Sequence, residues 1–177
     1  MKKLLGFSIF LVFVLIASLT AEAKVTLPAI FSDNMVLQQN TQVNVWGKAA
    51  PGEKVTVKAS WLDKAVTAKA AANGKWTVKL KTPKAITNQS VTVSGENEIT
   101  INNVLIGEVW LCTGQSNMEF PVSRHPDVKW NTGMLNEAEE LKDADYPEIR
   151  LFHVKHQLAH EGELDDCEGE WLVCNPK

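Results

Sequence analysis

A cationic surplus is absent from this chain. Its 177 residues carry 18 Lys and Arg against 21 Asp and Glu, a formal net charge of −3. Such a balance gives no electrostatic reason to bind nucleic acid or an anionic membrane. Cysteine is scarce, and three residues leave at least one unpaired within the chain. Cys167 and Cys174 are close enough in sequence to be a candidate pair, whereas Cys112 lies in an apolar stretch and reads as a small buried residue. Histidine is limited to four. His156 and His160 are spaced i, i+4 beside Glu161 and Glu163, but the segment has no helical periodicity and no H-E-x-x-H pattern, so both read as loop residues rather than metal ligands. There is no internal repeat and no low-complexity tract.

What the chain does have begins with a leader. Lys2 and Lys3 precede an apolar run from Leu4 to about Leu19, which ends at Ala21-Glu22-Ala23. This pattern predicts a signal peptide over 1–23, with an uncleaved anchor as the other reading; no cysteine stands near the junction to carry a lipid. Cleavage after residue 23 of 177 leaves 154 residues, and removing Lys2, Lys3 and Glu22 leaves 16 basic and 20 acidic residues, net −4. The mature chain is then expected in the periplasm or outside the cell, with no stable membrane insertion. The acidic stretch EGELDDCEGE reads as a solvated loop.

Residues 24–105 carry β signals almost throughout. QVNVWG, EKVTVKASW and GKWTVKL alternate apolar and polar residues with period two. Asn73-Gly74 predicts a hairpin between AVTAKAAA and KWTVKL, Ser94-Gly95-Glu96-Asn97 separates SVTV from EITINNV, and Pro51-Gly52 marks a further turn. Roughly seven or eight short strands at this spacing predict an antiparallel β-sandwich. Its core is expected at Val43, Val45, Val55, Val57, Trp76, Val78, Val91, Val93, Ile99 and Ile101. For Trp46, Trp61, Trp76 and Trp110, core packing is favoured over a row of exposed rings that stack on sugars.

The pattern changes over 106–177. IGEVWLC is a nearly continuous apolar run, as expected for a strand covered on both faces. MLNEAEELKDA has helical composition, with Asn131 or Thr132 as its N-cap, and EIRLFHV reads as a second strand. Strand, helix, strand is the opening unit of a parallel α/β sheet. Since only about two dozen mostly acidic residues follow His153, this second domain is expected to be incomplete, the chain being a fragment of a longer protein.

Between these elements stands Thr113-Gly114-Gln115-Ser116-Asn117-Met118-Glu119. A serine attacks only with a base beside it and donors for the oxyanion. A turn beyond a strand end supplies part of that, by lifting a hydroxyl clear of the sheet and aiming backbone N–H groups at developing charge. Gly114 permits a tight turn, Ser116 and Glu119 fit the S-x-x-E capping pattern, and Pro121 limits any helix to about one turn. Met118 stands where a G-x-S-x-G elbow has its second glycine. On spacing alone, Ser116 reads as a cap or turn residue.

The wider pattern adds to that reading. GEVWLC followed by Gly114-Gln115-Ser116-Asn117-Met118 resembles the nucleophile block of the sialate O-acetylesterase family, a branch of the SGNH-type hydrolases. LPAIFSDNMVLQQ at 27–39, VNVWGKAAPGEKVTV at 43–57, NGKWTVKL at 73–80, DYPEIRLFHV at 145–154 and EGEWLVCNP at 168–176 resemble the same family in the same order. The resemblance implies a β-sandwich followed by a flavodoxin-like hydrolase domain that removes acetyl esters from sugars, without metal or organic cofactor. It implies Ser116 as nucleophile, with its own N–H as an oxyanion donor, and Gly114, Gln115 and Asn117 as turn or pocket residues. The family's histidine comes within a D-x-x-H pattern, which these 177 residues lack. His125 and His153 are not expected to replace it. The competing expectation is a secreted β-sandwich binding or scaffold module with a vestigial hydrolase start.

Overall fold

The computed structural model describes residues 24–124, 133–158, 160 and 162–176, with the backbone alone at Ser116 and Glu119. The leader, His125 and the expected caps Asn131 and Thr132 lie outside the described residues.

Seven strands form the first part of the chain: β1 (Val36–Gln38), β2 (Gln42–Lys48), β3 (Lys54–Ala59), β4 (Val66–Lys69), β5 (Lys75–Lys81), β6 (Ile86–Ser94) and β7 (Glu98–Gly107). They make a five-stranded sheet in the order β1-β7-β6-β3-β4 and a two-stranded sheet of β2 with β5. The pairs are antiparallel except β1 with β7, which run parallel with Val36 opposite Leu105 and Gln38 opposite Gly107. The expectation of a wholly antiparallel architecture is corrected there: β1 reaches the sheet through the Pro28–Met35 loop and lies along an edge it enters in the same direction as β7.

Alternation sets which side chains go inside. β5 reads exposed–buried throughout, with Trp76, Val78 and Leu80 inward and Lys75, Thr77, Lys79 and Lys81 outward. These inward residues and Val45 of β2 share one apolar cluster with Val55 and Val57 of β3, Val91 and Val93 of β6 and Ile101 of β7. All ten expected core positions take part; Val43 and Ile99 are half-buried at its margin. Burying each such side chain stabilises the fold by about 1.5–3 kcal/mol.

The turn signals divide into two kinds. Ser94-Gly95-Glu96-Asn97 closes a true hairpin, with Ser94 opposite Glu98 and Gly95 N–H donating to Asn97 C=O at 2.8 Å. Asn73-Gly74 is a tight turn, Gly74 taking φ +76° and donating to Ala71 C=O at 2.9 Å. The strands it joins nevertheless belong to different sheets, because β4 pairs with β3 and β5 with β2. The Asn-Gly signal fixes the reversal of the chain but not the partner of the strand that follows.

Beyond β7 come a single described helix, α1 (Glu137–Asp143), and a hairpin of β8 (Tyr146–Val154) with β9 (Gly169–Cys174). The helix cap is Asn136, in the left-handed region at φ 60° and with no side-chain capping bond. β8 begins earlier than EIRLFHV, with an irregular register between Tyr146 and Arg150, where Pro147 has no N–H to give. Its partner is the antiparallel β9, so the expected parallel pairing with 106–112 does not form. The hairpin is tied to the first part of the chain by Trp171, whose Nε1 donates to Ile30 C=O at 2.8 Å and whose ring packs on the core. Among the described residues no helix is long and apolar enough to cross a membrane.

Candidate active site

The candidate site is a single 3-10 turn, Ser116–Glu119, at the end of an irregular stretch that leaves β7 at Gly107. Two glutamines of β1 and its flank set the start of that stretch. Gln38 Nε2 and Gln39 Nε2 donate to the two carboxylate oxygens of Glu108 at 3.0 and 2.6 Å, and Gln38 Oε1 accepts from Val109 N–H at 2.9 Å. These hydrogen bonds, Gln38 first, hold the Glu108 carboxyl below the usual glutamate range. Gln38 is fixed in turn by Thr82, the one buried polar residue among those described. Thr82 Oγ1 lies 2.7 Å from Gln38 C=O and 3.1 Å from both Thr41 N and Thr41 C=O. Reasoning from the sequence missed Glu108, Gln38, Gln39 and Thr82. The available signal was that MVLQQ and IGEV are the apolar runs brought together by the parallel β1–β7 pair.

After Glu108 the expected buried strand is replaced by an exposed, irregular segment. Val109, Trp110 and Leu111 are 47%, 83% and 92% exposed, and Cys112 is exposed rather than buried. Burial of such a run requires apolar layers on both sides, and the described residues supply none. Trp110 is therefore uncovered among the described residues; Trp76 is buried in the core, while Trp46 remains 40% exposed.

Gln115 is the residue before the turn, at φ −111°, ψ −152°, so the cap position falls one residue earlier than the S-x-x-E pattern suggests. Gln115 C=O accepts from Met118 N–H at 2.9 Å, and Asn117 C=O from Phe120 N–H at 3.4 Å. The turn stops at Glu119, two residues before Pro121, as Pro121 predicts. Gly114, Gln115 and Asn117 are exposed. Gly114 has no positive φ; its missing side chain matters because a Cβ would lie 2.7 Å from Met118 Cγ, where the methionine folds back. The side chain of Ser116 lies outside the described residues.

His153 sits exposed on β8 opposite Glu170, and His156 and His160 are exposed in the connection that follows. No group of three His, Cys, Asp or Glu among the described residues is arranged to hold a metal ion. Cys167 and Cys174 are not bonded to one another; Cys174 Sγ lies 3.5 Å from Ala144 C=O.

No protein-family model matches the chain. In structure it is similar to a carbohydrate acetylesterase from Xanthomonas citri, with a TM-score of 0.75 and 30% identity, over 86% of this chain and 33% of that one. That likeness is of a β-rich chain with one described α-helix to part of a carbohydrate acetylesterase. In sequence it is 31% identical over 150 residues to the sialate O-acetylesterase of Mus musculus and 30% identical over 153 residues to that of Rattus norvegicus, which takes in 78% and 80% of this chain. The two kinds of likeness agree, and they support the sialate O-acetylesterase family for this chain. It spans 26% of the length of either rodent relative.

Proposed function

We propose that this chain supplies the nucleophile of a serine esterase that removes O-acetyl groups from a sugar or glycan, O-acetylated sialic acid being the model substrate. The observation that carries the reading is the turn at Ser116–Glu119, at the end of a segment that leaves the sheet beside a Glu108 held by Gln38 of β1, in a chain about 30% identical to sialate O-acetylesterases. A base takes the Ser116 hydroxyl proton as its oxygen attacks the acetyl carbonyl. The Ser116 N–H is a donor to the resulting oxyanion, and Gly114, Gln115 and Asn117 shape the approach. The intermediate collapses, the sugar oxygen leaves with the proton returned by the base, and water then releases acetate from the acetyl-enzyme. No step calls for a metal or an organic cofactor.

In this reading residues 24–105 are a β-sandwich domain and 106–177 the opening of an SGNH-type, flavodoxin-like hydrolase domain, exported behind the 1–23 leader. The base comes from outside these 177 residues, as they contain no D-x-x-H. The purified 177-residue chain is therefore expected to hydrolyse an aryl acetate barely above background, with no loss on Ser116→Ala. Ser116-dependent turnover at the rate of a full-length sialate O-acetylesterase would overturn the assignment of the base.

A further inference from the structure

A cleft of about 410 Å³ lies where the loop around Asp165 and Asp166 crosses the outward face of β2 and β5. That volume is within the roughly 300–1,000 Å³ typical of small-molecule sites. It contains no residue of the Ser116 turn.

Two features of its lining define the ligand. The first is an aromatic surface. Trp46 is 40% exposed and fixed by an edge contact with Phe31, ring centroids 4.6 Å apart at 81°. The second is a balanced set of charges. Asp165 receives Lys75 Nζ at 2.7 Å and Lys48 Nζ at 3.2 Å, and all three side chains remain more than half exposed. Asp166 is turned to the Ala29 N–H at 3.2 Å. Two ammonium groups and two carboxylates leave the cleft with no net charge.

An anion would have to displace Asp165 from two lysines, and a cation would meet both ammonium groups. A purely apolar ligand would strip water from the ion pairs with nothing in return. A neutral polyhydroxylated ring meets both features. Its hydroxyls accept from Lys48 and Lys75 and donate to the carboxylates, and its C–H face lies on an aromatic surface. We propose that this cleft is a binding site for a neutral sugar residue of a glycan, built on the β2–β5 sheet and closed by the Asp165–Asp166 loop. The proposal does not depend on the role given to Ser116.

Isothermal titration of the full chain with xylotetraose, cellotetraose and sialyllactose tests it. Saturable binding is expected for at least one neutral tetrasaccharide. Trp46→Ala is expected to weaken that binding by about tenfold or more, as truncation of an aromatic anchor does. Trp46→Phe, which keeps a ring, should retain most of it, and Trp110→Ala all of it. Asp165→Asn should weaken the neutral sugars and raise the affinity for sialyllactose, because two lysines lose their counter-charge; the residue is exposed, so this variant keeps the test open should Trp46→Ala not fold. Binding of no neutral tetrasaccharide, tighter binding of sialyllactose by the unsubstituted chain, or affinity unchanged in both Trp46→Ala and Asp165→Asn would each overturn the proposal.

Discussion

Gly47→Ala and Gly107→Ala are the same change of one methyl group with opposite expected outcomes. A Cβ at Gly47 would overlap the Thr26 carbonyl oxygen and stand 2.9 Å from Trp76 Cζ2, whereas at Gly107 nothing lies within 4 Å. Thr26 is held beside β2 by two bonds that flank Gly47: Thr26 N–H to Lys48 C=O at 2.9 Å and Lys48 N–H to Thr26 C=O at 3.0 Å. Relief of the clash requires the 24–28 segment to peel away, with loss of both bonds at about 0.5–1.5 kcal/mol each. The alternative is to move Trp76, which is 3% exposed in the core, at an overpacking cost of about 1–3 kcal/mol. The smaller unfolded-state entropy of alanine offsets about 0.4–1 kcal/mol. By either route the net loss is then about 1 kcal/mol at the middle of these ranges and about 2.6 kcal/mol at most, a sizeable part of the roughly 5–15 kcal/mol that holds an ordinary domain together. Urea unfolding followed by tryptophan fluorescence measures it, and Gly107→Ala is expected to stay within about 0.5 kcal/mol of the parent. Equal midpoints for the two variants would refute the reasoning, since it rests on the difference in their surroundings.

Two further outcomes concern the support of the turn. Thr82→Val keeps the shape but leaves Gln38 C=O and Thr41 N–H without their buried partner, so a loss of about 1–3 kcal/mol is expected in the same unfolding assay. Glu108 has a folded pKa below its ordinary value because Gln38 and then Gln39 donate to the charged form; its contribution is full above the ordinary glutamate range and lost as pH falls through the lower folded value. Glu108→Gln should therefore flatten the acid side of the stability–pH curve, and an unchanged acid limb would remove Glu108 from the account.

The β-rich first part was legible because its information is local. Period-two alternation over EKVTVKASW and GKWTVKL specifies which side chains go inward, and all ten expected core residues take part in the cluster. Pairing was less legible. Asn73-Gly74 announces a reversal, but whether β5 returns along β4 or crosses to β2 depends on which apolar face closes the core, and that is a property of the whole sheet. Cys112 and Trp110 are exposed for a related reason: IGEVWLC has the composition of a buried strand, yet burial needs covering layers, and none is present among the described residues of a chain that spans 26% of its rodent relatives' length. Trp46 was misread because its β2 register puts it on the outward face, opposite Thr77, where an aromatic residue is unusual unless something uses it.

The candidate site was legible as a motif and illegible as a structure. Ser116 could be picked out by its neighbours in sequence, but the segment that leads to it is held at Glu108 by residues 70 and 69 positions before that glutamate. Glu108 lies between the last residue of β7 and the exposed run to the turn, and both of its oxygens are taken by glutamines that follow Met35-Val36-Leu37. The parallel β1–β7 pair makes this contact unavoidable, since Gln38 stands opposite Gly107. Two blocks that resemble the same family, 27–39 and 106–118, are therefore halves of one device. The first is the clamp, and the second is the segment it holds. Under the function proposed above, this clamp would fix the residue at which the chain leaves the sheet toward Ser116, and a sheet that presents a reacting atom needs such a fixed exit, since a displacement of about 1 Å at that atom is enough to cost two orders of magnitude in rate.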